Sequence, residues 1–138
     1  MTRILTGECL CGAVKFRLED RFPWFHQCHC KQCQQLTGTA FASNLFTEPG
    51  NIEYVDGAEL VAAWEHQTRE FSSSFCKNCG SNLPFLNKSG TSLIVPAGSL
   101  NELPDIQPQA NIFAGEEAPW LEPGRSARKC EGFAPWRD

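Results

Sequence analysis

The sequence has no basic cluster. Its twelve Lys and Arg never form a run longer than two adjacent or near-adjacent residues, and sixteen Asp and Glu outnumber them, for a formal net charge of −4. Nucleic-acid binders gain affinity by neutralising phosphates with a basic stripe, so this composition argues against a nucleic-acid partner. No apolar run approaches the ~18 residues of a membrane-spanning helix, so no membrane is expected either. The first eight residues, Met1 to Glu8, contain no long apolar stretch of the secretory kind. A cytoplasmic protein is therefore expected. There thiols stay reduced, and the eight cysteines point to metal or catalysis rather than disulfides. Repeats, low-complexity stretches and linkers are also missing, and 138 residues suit a single domain over residues 1–138.

What the chain does contain is apolar and strand-like. The hydrophobic fraction is 41%, with ten Phe and four Trp, which excludes a disordered segment. The run Ala13–Leu18 alternates apolar and polar residues, as a half-buried strand does. Further strands are expected at Thr39–Phe46, Leu60–Trp64, Arg69–Phe75 and Thr91–Val95. Turn residues separate them: Gly12, Pro49-Gly50, Asp56-Gly57, Asn78, Gly80 and Ser89-Gly90. This spacing predicts a mainly antiparallel all-β fold. One short helix is expected at Cys30–Leu36, stopped by Gly38, and an irregular path over the Pro-rich last forty residues. Trp24, Phe25, Phe41, Trp64, Phe75 and Phe85 are expected in the core.

The cysteines fall into three groups and one outlier, Cys130. Cys76 and Cys79 flank a turn and can reach one ion, as in a zinc knuckle, which supplies half of a tetrahedral site. Cys9 and Cys11, beside Gly12, are the natural complement. Together they make a closed four-thiolate site, whose role is structural. It clips the N-terminal turn to a segment about 65 residues later, a long loop closure.

Cys28, Cys30 and Cys33 offer three sulfurs within six residues, one short of a closed site. Three protein ligands and one open position are what a catalytic zinc needs. With three thiolates such an ion carries a net charge of −1 and is a weak Lewis acid, but it is soft and prefers sulfur. The expected ligand is a substrate thiol held as thiolate. The competing reading is a second closed structural site, completed by His26, His29 or Cys130, in a non-catalytic binding module. A redox pair at Cys30 and Cys33 lacks its βαβ context.

These motifs resemble a known family. The run Gly7-Glu8-Cys9-Leu10-Cys11-Gly12-Ala13-Val14, the Cys28, Cys30, Cys33 group with Gly38 and Phe41, and Phe75-Cys76 with Cys79-Gly80-Ser81-Asn82-Leu83 look like the glutathione-dependent formaldehyde-activating enzymes, the family of centromere protein V. The resemblance runs from residue 7 to about Trp120. It implies the zinc-containing β-tent fold and two Zn²⁺ per chain. Cys9, Cys11, Cys76 and Cys79 correspond to the structural site, and Cys28, Cys30 and Cys33 to the catalytic one. The implied activity joins formaldehyde to glutathione, giving S-hydroxymethylglutathione; reversed, it is a carbon–sulfur lyase. The implied partners are a small thiol, glutathione or similar, and a small aldehyde.

Overall fold

Alternation sets the first hairpin. In β1 (Ile4–Glu8) and β2 (Lys15–Glu19) every second side chain is buried, Leu5 opposite Leu18 and Gly7 opposite Phe16. A one-residue slip would turn this set to solvent, so burial fixes the register. Gly7 lies under Phe16: a Cβ there would sit 2.2 Å from Phe16 Cζ and 2.7 Å from the Ser99 carbonyl oxygen. The computed structural model describes residues 2–136.

The remaining strands are β3 (Trp24–Cys28), β4 (Ala42–Thr47), β5 (Glu53–Asp56), β6 (Val61–Glu65), β7 (Ser72–Cys76), β8 (Asn82–Leu83), β9 (Phe85–Leu86), β10 (Leu93–Pro96) and β11 (Ala110–Ile112). They form three sheets, in the orders β1-β2-β5, β11-β3-β4-β10-β9 and β6-β7-β8. Every pairing is antiparallel except β11 with β3. The fold is all-β, as expected. Helix α1 (Lys31–Thr37) follows β3 directly. Its N-cap is Cys30, whose sulfur accepts from the Cys33 amide, and its C-cap is Gly38, left-handed at φ 68°. Among the described residues no helix is long and apolar enough to cross a membrane.

The main core joins Leu5, Val14, Phe16, Leu18, Phe25, Leu45, Leu83, Leu93 and Val95 with the sulfurs of Cys9 and Cys76. A separate small cluster holds Cys28, Cys30, Cys33 and Ala42 under Phe71 and Ile112.

The expected strands occur with shifted bounds. Ala13 and Val14 are drawn into a turn, since the Cys9 amide bonds to the Val14 carbonyl and the Gly12 amide to the Cys9 carbonyl. Arg69, Glu70 and Phe71 belong to the loop before β7. β3 was not expected, because His26 and Gln27 break its alternation. The last forty residues are less irregular than expected: they supply β11 and α2 (Leu121–Arg125), whose Leu121 packs with Ala40 and Ala118. Of the six aromatics expected in the core, only Phe25 is buried. Trp24, Trp64 and Phe75 are exposed; Trp24 takes the outer face of β3 because its neighbour Phe25 takes the inner one.

Candidate metal centres

The first thiol group is built by two turns. Cys9 and Cys11 lie in the turn between β1 and β2; Cys76 ends β7, and Cys79 lies in the turn that follows it. Gly12 and Gly80, at φ 77° and 79°, close the two turns, a conformation that costs a side chain roughly 1–2 kcal/mol. Asn78, in the same turn as Gly80, is not left-handed. Its side-chain amide instead donates to Cys11 Sγ at 3.2 Å. The Cys9 and Cys11 sulfurs lie 3.5 Å apart, Cys11 and Cys76 4.0 Å apart, and all four within 4.8 Å of one another. A tetrahedral ion with bonds of ~2.3 Å puts its sulfurs about 3.8 Å apart, whereas a disulfide needs about 2.0 Å. All eight cysteines are free thiols. The group fits a tetrahedral thiolate site.

Polar hydrogens converge on these sulfurs. The Val14 amide donates to Cys9 at 3.3 Å. The Ser81 hydroxyl lies 3.2 Å from Cys79 and also accepts from the Leu10 amide at 3.0 Å. The Ser81 hydroxyl above all, then the amides of Ser81 and Cys11, brings the Cys79 thiol down to about 5. Burial pushes Cys76 up, against amide donors from Cys79 and Asn78. Donors aimed at sulfur favour the thiolates that a cation requires.

The second group stands where β3 runs into α1. Cys28 ends the strand, Cys30 caps the helix and Cys33 is its first buried residue. Their three sulfurs lie within 4.8 Å of one another, and all three residues are buried. Chiefly through its hydrogen bond with Cys33, Cys28 comes down to about 6, and the same bond, with burial, pushes Cys33 far up. One sulfur of the trio thus favours the thiolate while its neighbour keeps the proton.

Among the described residues no fourth protein ligand joins the trio. The three expected alternatives sit elsewhere. His26 packs on Phe46 at 5.4 Å. Cys130 is exposed. His29 is 1% exposed, with Nε2 2.9 Å from Asn111 Oδ1 and its ring 5.0 Å from Phe41. Because Asn111 Oδ1 only accepts, Nε2 carries the hydrogen and Nδ1 the lone pair. Nδ1 is buried and has no hydrogen-bond partner. Lys31, between Cys30 and Cys33, is exposed, and its amide donates to Glu116 Oε1 at 3.1 Å.

Residues from the far end of the chain complete this site. β11 lies parallel to β3, with Ile112 opposite Cys28, and the His29 amide donates to the Ile112 carbonyl at 3.0 Å. Gln34 Nε2 donates to the carbonyls of His29 and Glu116 at 2.8 and 2.9 Å. Asn111 and Glu116 carry no local sign of these roles, since they lie more than eighty residues from their partners. Ser81 had a signal that passed unused: a hydroxyl two residues after a cysteine, beside a turn glycine.

The family model described as "Glutathione-dependent formaldehyde-activating enzyme" matches residues 4–116. A Halomonas elongata protein named "Putative glutathione-dependent formaldehyde-activating enzyme" is 27% identical, over 96% of this chain and 94% of its own. An uncharacterized lyase of Schizosaccharomyces pombe is 27% identical over 61% of this chain and 58% of its own. A crystal structure of a Rhodobacter sphaeroides protein superposes with a TM-score of 0.57 at 22% identity, covering 75% of this chain and 91% of that one. At that identity the likeness shows the fold alone.

Proposed function

Since the chain belongs to the glutathione-dependent formaldehyde-activating enzyme family, we propose that it is a zinc-dependent enzyme of the carbon–sulfur lyase type, adding a thiol to a small aldehyde and reversing that addition. The observation that carries this reading is the buried trio of cysteines, which no fourth protein ligand joins among the described residues. A purely structural second site, as in a binding module, needs that fourth ligand.

In this reading Cys9, Cys11, Cys76 and Cys79 hold a structural Zn²⁺, and Cys28, Cys30 and Cys33 hold a second. When bound there, a soft ion with three thiolates offers a position that favours a substrate thiol as thiolate. In this reading the chain is a single domain of the β-tent kind, working in the cytoplasm. Glutathione is the thiol and formaldehyde the aldehyde that the family name supplies.

The addition forms a carbon–sulfur bond while the carbonyl π pair moves to oxygen. The proton that leaves sulfur must finish on that oxygen. Phe71, Ile112 and Ala42 pack on the trio and exclude bulk water, which strengthens electrostatic contacts there. His29 is the residue we assign to the proton. Asn111 anchors its Nε2, leaving the unpartnered Nδ1 to accept from the product hydroxyl. An unpaired buried nitrogen costs about 1–3 kcal/mol, and a substrate hydroxyl removes that cost.

The test is NMR of exchange between ¹³C-formaldehyde and a panel of thiols, against the uncatalysed rate. The protein should accelerate exchange for at least one thiol. His29→Asn should slow that reaction by about 100-fold, the low end of general acid–base contributions, at unchanged zinc content. No acceleration with any thiol would refute the assignment.

A further inference from the structure

A cavity of about 260 Å³ lies between α1 and the loop joining β6 to β7, and the chemistry above makes no use of it. Helix α1 contributes Gln32 and Leu36, the β6 side Trp64 and His66, and the loop Arg69 and Phe71. Phe71 also packs on the Cys28, Cys30, Cys33 cluster, and Gln32 immediately precedes Cys33 on α1. The cavity and the trio therefore share a wall and a helix.

The loop is held through its backbone. The amides of Thr68 and Arg69 donate to His66 Nδ1 at 3.2 and 3.1 Å. Lys88 Nζ donates to the carbonyls of His66 and Arg69 at 2.7 and 3.1 Å. Two donors on Nδ1 put the imidazole hydrogen on Nε2. The Arg69 side chain has a neutral partner, Gln32 Oε1 at 3.2 Å. Among the described residues no carboxylate pairs with it. In a chain with more acids than bases, this cavity thus has at its exposed side a guanidinium without a carboxylate partner, beside an imidazole N–H and an indole.

We propose that this cavity binds the carboxylate-bearing end of the thiol substrate, with Arg69 as the group that grips the carboxylate. The inference rests on the reading that a thiol is the substrate of the neighbouring trio. A guanidinium presents parallel donors that match a carboxylate, and the bond to a neutral amide is the weaker one it gives up. At 260 Å³ the cavity is smaller than the about 300–1,000 Å³ of sites that enclose a drug-sized ligand. It therefore takes one carboxylate arm rather than a whole tripeptide.

The probe is S-methylglutathione, whose capped sulfur cannot act as a thiolate, compared with its dimethyl ester. Binding is followed by ¹H–¹⁵N NMR at the Trp64 indole and the Gln32 side-chain amide. The acid should shift both signals saturably, and the ester should bind at least tenfold more weakly, as loss of a charge-assisted hydrogen bond requires. Arg69→Gln should weaken the acid by a similar factor and leave the ester unchanged, with Arg69→Lys intermediate. Both variants keep the backbone bonds that hold the loop. Equal binding of acid and ester, shifts elsewhere only, or full affinity in Arg69→Gln would overturn the assignment. Loss of binding with thiol–aldehyde exchange intact sinks the cavity alone. Binding as described, with no exchange for any thiol, supports the cavity and sinks the reaction.

Discussion

Replacing Cys76 by Ala and replacing Cys30 and Cys33 by Ala should have opposite consequences for the fold. Cys76 is fully buried, and with Cys9 it belongs to the main core, beside Leu5, Val14 and Leu83. Its sulfur helps tie turns that lie 65 residues apart. Structural zinc contributes about 10–16 kcal/mol apparent in zinc-finger peptides, as much as the roughly 5–15 kcal/mol that separates a typical folded domain from its unfolded state. Losing that ligand should therefore unfold the protein at 25 °C. The trio lies outside the main core, in a cluster with Ala42, Phe71 and Ile112. Truncating Cys30 and Cys33 removes little volume and should cost about 1–3 kcal/mol in all. Circular dichroism, thermal melts and zinc analysis on both variants make the comparison. Cys76→Ala should lack a cooperative melt, while Cys30→Ala/Cys33→Ala should melt cooperatively with one zinc fewer than the parent. A wild-type melt for Cys76→Ala, or an unfolded double variant, would refute the division into a structural and a catalytic centre.

Gly7→Ala should destabilise the protein by about 1–3 kcal/mol, as overpacking does, because the new methyl meets the buried Phe16 ring and the Ser99 carbonyl; urea unfolding measures it, and unchanged stability would contradict the predicted clash. Metal uptake at the trio should be linked to pH. Cys33, pushed far up beside the Cys28 thiolate, must lose its proton to solvent when an ion binds, so loading at pH 7 should release at least one proton. Affinity should then fall as pH falls, by about tenfold per unit for each proton released. Zinc titrations in two buffers of different ionisation heat read the proton count, and a count of zero would be the wrong answer for this account.

Much of this was legible in the chain because short-range spacing carries it. The C-x-C and C-x-x-C pairs at Cys9, Cys11, Cys76 and Cys79 announced a shared centre. The three sulfurs from Cys28 to Cys33 marked a second group, one ligand short of a closed site, and Gly38 marked the helix stop. Strand positions were found where period-two alternation is clean and missed where it is not. β3 carries the polar, half-buried His26 and Gln27 between buried Phe25 and Cys28, so its alternation is broken. The aromatic residues misled for a related reason: on a thin sheet only one of two neighbours can face inward, so Trp24 yields to Phe25. What could not be read are the long-range partners. That Asn111 meets His29 and Glu116 caps the start of α1 follows from the parallel pairing of β11 with β3, which leaves no mark near either residue.

Zinc K-edge absorption on the protein as purified, before and after adding a thiol, tests the central claim most directly. The account predicts two zinc ions per chain with between three and four sulfur neighbours on average, rising to four when glutathione is added. Four sulfurs per zinc beforehand with no change on addition, or disulfides in place of metal, would contradict it.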